Sequence, residues 1–160
     1  MLSVTIDDSK LIQQLEAMPA KIRNAVYVTV KSLAKSLQKH IVVDKLQGQV
    51  LGHRSGNLWR SIQNDVTQND SGVLGRVFSS GDVKYAAIHE FGGRIPPHVI
   101  EPKNGEALSF IMNGKRVFFK KVNHPGSVMP ERSFMRSSLR DMRSEIIDDI
   151  TKAVEKATRL

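Results

Sequence analysis

The sequence predicts an α+β fold in which a mostly antiparallel sheet of about five strands packs against two long helices. Two segments, about residues 19–46 and 133–158, carry apolar residues every three or four positions, as amphipathic helices do. Between them lie short apolar or alternating runs separated by glycine, asparagine and proline, a pattern typical of antiparallel strands. With 160 residues and no internal repeat, the chain is predicted to form one domain, residues 1–160.

The first predicted elements are a short strand and two helices. Leu2, Val4 and Ile6 alternate with polar residues and predict a half-buried strand. A brief helix follows, and Pro19 is well placed as the first residue of a second, longer helix, where its missing N–H costs nothing. The apolar stripe of the longer helix comprises Ile22, Val26, Val30, Leu33, Leu37 and Ile41.

The middle of the chain is predicted to hold the strands. A glycine-rich loop over 47–57 precedes them, one or two helical turns occupy 84–93, and three prolines keep 94–102 extended. The predicted strands are 58–66, 73–79, 108–112 and 115–122. Between the last two lies Asn113-Gly114, one of the strongest hairpin signals that a sequence offers. The stripe of the closing helix comprises Met135, Leu139, Met142, Ile146, Ile150, Ala153 and Ala157.

Composition narrows the class of function. The absence of cysteine excludes disulfides, thiol catalysis and cysteine-ligated zinc. No apolar run approaches the ~18 residues of a membrane span, and the first residues do not resemble a signal peptide, so we expect a cytoplasmic origin and no membrane. The net charge of +8 is uneven, since Lys and Arg outnumber Asp and Glu by nine to four over 1–60 and by nine to three over 103–143. Such blocks face nucleic acid, an acidic partner or simply solvent.

The stretch from Tyr85 to Gly93 has the composition of an active site, with two aromatic residues, a His-Glu pair and a glycine doublet. A zinc-protease helix needs a second histidine four residues after His89, and Gly93 occupies that position. We therefore predict a structural corner. It comprises Tyr85, His89, Glu90, Phe91, Gly92 and Gly93.

Within this corner each residue type has a predicted role. The rings of Tyr85 and Phe91 are expected to pin the corner to the sheet, and Glu90 to bond nearby backbone or an arginine. Gly92 and Gly93 are expected to reverse the chain, because glycine adopts backbone angles that are closed to other residues. The segment 94–102 then becomes a stiff extended segment with little entropy to lose on docking.

Catalytic and metal sites find little support. His89, His98 and His124 are the histidines that a metal site assembled by the fold would use, but nothing local fixes their geometry. No Gly-x-Ser-x-Gly elbow and no phosphate-binding glycine loop occurs. We therefore assign no catalytic, cofactor-binding or metal-binding residue, and we expect no cofactor.

Nucleic-acid binding is the most serious alternative. Basic pairs bracket Phe118 and Phe119 on the predicted hairpin, where exposed rings stack on bases while cations meet phosphate. Strand alternation instead predicts that one of the two rings faces the core. The candidate DNA-facing residues are Lys115, Arg116, Lys120 and Lys121. Trp59, the only tryptophan, is a candidate partner contact or packs its loop onto the sheet.

Four local patterns occur in an order that resembles one protein family. They are Ser55-Gly-Asn-Leu-Trp-Arg-Ser-Ile62, Tyr85-Ala-Ala-Ile-His-Glu-Phe-Gly92, Ala107-Leu-Ser-Phe110 with the Asn-Gly hairpin and His124-Pro-Gly126, and Pro130-Glu-Arg-Ser-Phe134. Together they resemble the tail-completion and head–tail joining proteins of tailed bacteriophages, also described as virion morphogenesis proteins, over about residues 1–157. Two features depart from the family pattern: the loop at 47–54 and Ser133, where proline is common.

The resemblance implies a non-enzymatic component of a phage or prophage virion, assembled in the cytoplasm of the bacterial host. It implies a homo-oligomeric ring, hexameric by analogy with related folds, at the head–tail junction or the tail end, in contact with other neck or tail proteins. Such a basic ring also tolerates DNA without reading its sequence. The alternative function is a basic DNA-binding accessory protein. The candidate subunit or partner contacts are Trp59, Arg94, Pro96, Pro97, His98, Arg132 and Phe134.

Overall fold

The computed structural model confirms the α+β class and divides the chain into two compact units. It describes residues 9–47, 50–51, 55–69, 72–81, 83 and 85–159. Unit 1 is formed by 1–86 with 133–160, and unit 2 by 87–132. The strand predicted at 2–6 lies outside the described residues, and the prediction of a single domain stays a prediction.

The strands differ from the prediction of one sheet. The described residues form eight short strands in four separate two-stranded antiparallel sheets, not one sheet of about five strands. One sheet belongs to unit 1 and three belong to unit 2. The prediction therefore held for the direction of pairing and was wrong about how the strands are grouped.

The first helix, α1, runs over Ser9–Lys39 and leads into a π-helical segment, His40–Lys45. The sequence predicted a new helix starting at Pro19, which is wrong because Pro19 lies inside α1. Proline removes one backbone hydrogen bond from a helix interior, and good helix formers on both sides, including Glu16-Ala17 and Ala20-Lys21, continue the helix through it. The end of the π-helical segment agrees with the predicted helix end near 46.

A short helix, α2 (Asn57–Ser61), precedes the hairpin of unit 1. The sequence predicted a strand from 58, but Gly56 adopts a left-handed φ of 77° and the Ser61 hydroxyl donates to the Leu58 carbonyl at 2.7 Å, which favours one helical turn. Strands β1 (Ile62–Asn69) and β2 (Gly72–Ser79) then pair antiparallel. Both pack against α1. At Gly75 a Cβ would lie 2.8 Å from Val30 Cγ1, so glycine permits this close approach.

The closing helix is divided in two at Met142. Helix α4 covers Met135–Asp141 and α5 covers Arg143–Thr158, where the sequence predicted one helix. The hydroxyls of Ser137 and Ser138 donate back to the carbonyls four residues earlier, at 2.7 and 2.6 Å, a competition that bends helices. Helix α5 packs along α1.

The core of unit 1 lies where α1, the hairpin and the closing helices meet. Its buried residues are Ile41, Leu46, Leu51, Ile62, Ala86 and Phe134. Phe134 is 0% exposed. The prediction that Phe134 contacts a partner is therefore wrong, because its ring is enclosed by its own unit.

Helix α3 (Tyr85–Phe91) crosses the boundary between the two units, and six strands follow it in unit 2. These strands are β3 (Gly93–Ile95), β4 (His98–Ile100), β5 (Leu108–Met112), β6 (Lys115–Phe119), β7 (Val122–His124) and β8 (Ser127–Met129). They pair from the outside inwards: β3 with β8, β4 with β7, and β5 with β6. This nested pairing makes residues 93–129 one long interrupted hairpin, which we call the β-arm.

Candidate assembly surface

The base of the β-arm keeps one register across a proline-rich interruption. Ile95 opposes Ser127 and His98 opposes His124, so two residues intervene on each strand. The intervening residues are Pro96 and Pro97 on one strand and Pro125 and Gly126 on the other. Proline has no N–H to give to a ladder, which explains the gap in the pairing. The predicted stiff segment 94–102 thus consists of β3, two prolines and β4, continuing to Pro102.

Gly126 allows the two strands to stay close at this gap. Its φ is 84°, and a Cβ would lie 2.6 Å from the carbonyl oxygen of Ile95. Its N–H donates to Nδ1 of His124 at 3.0 Å, and the His124 ring stacks on His98 with centroids 4.9 Å apart. The base of the β-arm is therefore a defined structure although it is only two strands wide.

The far end of the β-arm is a tight hairpin, as the sequence predicted. Asn113 and Gly114 adopt φ values of 52° and 76°, the two left-handed residues that a type I′ turn needs. Strand pairing places Leu108, Phe110 and Phe119 on one face, where the rings of Phe110 and Phe119 stack at 5.5 Å. We call β5, the turn and β6 the arm tip.

The opposite face of the arm tip carries Ile111, Arg116 and Phe118. Ile111 is 72% exposed and Phe118 is 64% exposed. The sequence predicted that one of Phe118 and Phe119 is core, which is wrong because both rings are exposed. Alternation buries a side chain only where another layer covers that face of the strands.

The whole of unit 2 lacks an apolar core. Every residue of 87–132 is described, and the only buried one is Glu90, at 4% exposure. The exposed apolar residues of the β-arm are Val99, Ile100, Phe110, Ile111, Met112, Phe118, Phe119 and Val128. Monomeric soluble proteins seldom expose so many large apolar side chains together, and such patches mark interaction sites.

The edges of the β-arm are also open. Each of its six strands pairs with a single neighbour among the described residues, which leaves one row of backbone groups per strand without a strand partner. Open edges of this kind accept a further strand by β-augmentation. The β-arm therefore offers both apolar side chains and backbone groups to a partner.

The cations predicted to face DNA lie on or beside the arm tip. Lys115, Arg116, Lys120 and Lys121 are all exposed. Within the described residues none of them forms a salt bridge. No Asp or Glu occurs between Ala107 and Lys121, so the tip carries an uncompensated positive charge.

The glycine corner has the predicted backbone geometry. Gly92 and Gly93 adopt φ values of 66° and 146°. A Cβ on Gly92 would lie 2.8 Å from the Glu131 nitrogen and 3.0 Å from the Met129 oxygen, so glycine is required on steric grounds as well. The Arg132 N–H donates to the His89 carbonyl at 2.8 Å and closes the corner.

The side chains of the corner follow the prediction less closely. Glu90 is buried, but Tyr85 and Phe91 are 42% and 61% exposed, so neither ring is the buried anchor that the sequence predicted. Burial first, and the charge of Arg132 second, hold the pKa of His89 below its usual value.

The remaining predicted contacts are divided between the two units. Arg94, Pro96, Pro97, His98 and Arg132 are exposed in unit 2, as a contact surface requires. Trp59 instead lies on α2, half-buried against the core of unit 1, and the guanidinium carbon of Arg60 lies 5.1 Å from its ring. Packing onto its own unit, one of the two interpretations of this tryptophan, accounts for its position.

A polar cluster that sequence reasoning missed joins the π-helical segment to α4. His40 Nδ1 donates to Asp44 at 2.6 Å, Lys45 Nζ donates to Asp141 at 2.6 Å, and His40 Nε2 lies 3.6 Å from the same Asp141. The Lys45 hydrogen bond is the main cause that lowers the pKa of Asp141. Nε2 of His40 is buried, and the ion pair of Lys45 with Asp141 joins the two elements.

The i, i+4 spacing of His40 and Asp44 is visible in the sequence, and Lys45 follows directly, but Asp141 lies 96 positions after Lys45. No group of three His, Asp or Glu side chains in the described part of the chain is placed to hold a metal ion. Nor is any helix of that part long and apolar enough to cross a bilayer.

Unit 1 carries an open apolar groove of about 240 Å³, which we call the unit-1 groove. It lies between α1, β2 and the closing helices, and every lining residue is apolar or glycine. The lining includes Val30, Leu37, Val77, Leu139, Ile146 and Ile150.

Comparison of the chain with protein-family models, curated proteins and solved structures yields no match.

Proposed function

We propose that this chain is a non-enzymatic assembly subunit of a phage or prophage virion, which completes or joins the tail by forming a ring at the neck or the tail end. One observation carries the assembly role: the β-arm holds many exposed large apolar side chains and buries none. The virion as the assembly in question is proposed from the four motifs that resemble the tail-completion family, which include the glycine corner at the base of the β-arm.

The energetic reasoning starts from the weakness of two-stranded ribbons. An isolated two-stranded hairpin is at best marginally stable in water and needs further strands or a packed face. Burying a side chain such as Ile111 or Phe118 contributes about 1.5–3 kcal/mol. A partner that covers the arm tip therefore stabilises a structure that the monomer leaves exposed, and this favours association over catalysis as the function of the β-arm.

A ring follows from the form of such a contact. When one element of a copy binds a different surface of the next copy, the contact repeats head to tail, and it closes into a ring if the rotation allows. The proline-bounded base of the β-arm loses little conformational entropy on docking, which suits this role.

Native mass tests the proposal. We expect wild-type protein to show a discrete ring-sized species by light scattering on a sizing column, increasing with protein concentration. The double variant Ile111→Ser with Phe118→Ser is expected to shift the equilibrium to monomer without loss of thermal stability of unit 1.

A matched control uses equally exposed apolar residues outside the β-arm. Val28→Ser with Leu74→Ser changes two side chains that are each 57% exposed in unit 1, and we expect it to leave the native mass unchanged. A strict monomer at every concentration, alone and with neck or tail proteins added, would contradict the proposal.

The second candidate function is DNA binding, which the four uncompensated cations around two exposed phenylalanines favour. Each phosphate contact contributes about 0.9 to the slope of log affinity against log salt. Lys120→Ala with Lys121→Ala is therefore expected to lower that slope by about 2 if both lysines contact phosphate. The control pair Lys152→Ala with Lys156→Ala removes the same charge from α5.

A further inference from the structure

We propose that the arm tip of one copy docks in the unit-1 groove of a second copy, with Ile111 and Phe118 entering the groove and Arg116 facing Asp149 beside it. The inference rests on the proposed function and names the partner of the β-arm: another copy of this chain. It joins two apolar features of the described structure, the exposed side chains of the arm tip and the concave unit-1 groove.

The docking face is defined by the register of β5 and β6. Ile111 pairs with Arg116 and Ser109 pairs with Phe118, so Ile111, Arg116 and Phe118 share one face. Ile111 and Phe118 lie diagonally across that face and are the most exposed apolar residues of the tip. The face thus presents two large apolar side chains beside one cation.

The groove matches this face in polarity. Its walls are apolar, and Leu139 on its lining is 52% exposed although it is a large aliphatic residue. Ile146 and Ile150 line it from α5. Apolar side chains from a second copy would replace the water that these residues now meet.

Charge favours this occupant over an acidic one. Asp149 directly precedes the groove residue Ile150 on α5, whereas Glu145 lines a separate cleft with Lys39 and Asp44. The span 144–150, between Arg143 and Lys152, contains three acidic residues, whereas 107–121 contains four cations and no acidic residue. Asp149 forms no salt bridge within the described residues, so its carboxylate is available to a cation of a second copy.

Cross-linking tests the docking directly, because the chain has no cysteine of its own. An Ile111→Cys variant is mixed with a tagged Leu139→Cys variant and treated with a short bismaleimide. We expect a covalent heterodimer as the dominant product. The control replaces Leu139→Cys by Ile147→Cys, an α5 residue that is 55% exposed but does not line the groove. Equal yields with the two partners would overturn the inference.

A charge exchange provides a second test that does not depend on cysteine chemistry. Arg116→Glu alone and Asp149→Arg alone are each expected to weaken self-association about tenfold, and the combined variant to recover most of that loss. Lys103→Glu and Glu155→Arg serve as controls, since Lys103 lies off the arm tip and Glu155 lies on the opposite side of α5 from Ile146.

The outcomes separate the docking mode from the proposed function. A wild-type ring whose mass responds to Ile111→Ser with Phe118→Ser but not to the charge exchange would leave assembly standing and overturn docking in the groove. The arm tip would then bind another surface, such as that of a different virion protein or the open edge of a neighbouring β-arm. A protein that never associates would overturn both.

Discussion

The two units of this chain bury apolar residues in opposite ways. Unit 1 encloses Phe134 and Ile62 completely among α1, the hairpin and the closing helices. Unit 2 is built largely from two-stranded ribbons, and its single buried residue is a glutamate. Unit 1 therefore has a closed apolar core, while the β-arm is held by backbone pairing and leaves its large apolar side chains exposed.

Phenylalanine to alanine changes in the two units give the largest expected contrast. Phe134→Ala removes a fully buried ring and is expected to cost about 3–5 kcal/mol in the free energy of unfolding. Phe118→Ala makes the same change at a 64% exposed position and is expected to leave that free energy nearly unchanged while weakening self-association. Urea unfolding and native mass measure the two effects, and equal losses of stability would remove the distinction between the units.

Gly92→Ala gives the next effect, on the backbone that holds the base of the β-arm. The left-handed φ of 66° costs a residue with a Cβ about 1–2 kcal/mol. The contacts with the Glu131 nitrogen and the Met129 oxygen add to that cost. The control is Gly114→Ala, which has a similar φ of 76° but meets no atom within 4 Å. Thermal unfolding should show the larger loss for Gly92→Ala, and the reverse order would contradict a close-packed corner.

The pH dependence of the free energy of unfolding tests the packing around His89 in unit 2. The pKa of His89 is lowered in the folded state by burial and by Arg132, so the neutral ring is favoured there. Its contribution to stability is fully present above the ordinary histidine pKa of about 6.5 and is lost as pH falls through the lower folded value. His89→Gln should flatten the stability profile below pH ~6.5. An unchanged profile from urea unfolding at pH 5–7 would exclude this role.

The smallest expected effect belongs to an exposed pair in unit 1. Asp65 and Arg76 face each other across β1 and β2, and the Arg76 hydrogen bond lowers the pKa of Asp65. Stability from this pair is present above the ordinary aspartate pKa of about 3.9 and is lost as pH falls through the folded value. Because both groups are solvent-exposed, Asp65→Asn should change stability only slightly at neutral pH, and less still as pH falls and the carboxyl is protonated.

Local features of the fold were predictable from the sequence. The Asn-Gly dipeptide specified its turn because few residues tolerate two left-handed positions in succession, and Gly92-Gly93 specified the corner for the same reason. Helical periodicity predicted the helical character of α1 and of the closing helices, although not the start of α1 or the break at Met142. These signals act within a few residues, so neither long-range pairing nor packing alters them.

Features that depend on distant pairing were not predictable. Nothing near His98 indicates that it opposes His124, so 94–102 was predicted only as an extended segment, and 108–112 and 115–122 as parts of one sheet rather than of a nested ribbon. The prediction that one of Phe118 and Phe119 is core was wrong for a related reason. Strand alternation assumes that another layer covers one face of the strands, and the β-arm lacks such a layer. Phe134 showed the opposite error: a motif near a predicted helix start looked like a contact, and tertiary packing buried it.

Amide hydrogen exchange at two protein concentrations tests the central contrast most directly. We expect amides of β1 and β2 to exchange slowly at both concentrations, since global unfolding must open them. Amides of β5 and β6 should exchange quickly in dilute protein and become protected as the concentration rises. If the arm-tip amides are as slow as those of β1 and β2 in dilute monomer, the β-arm is stable without a partner and the proposed division between the two units is wrong.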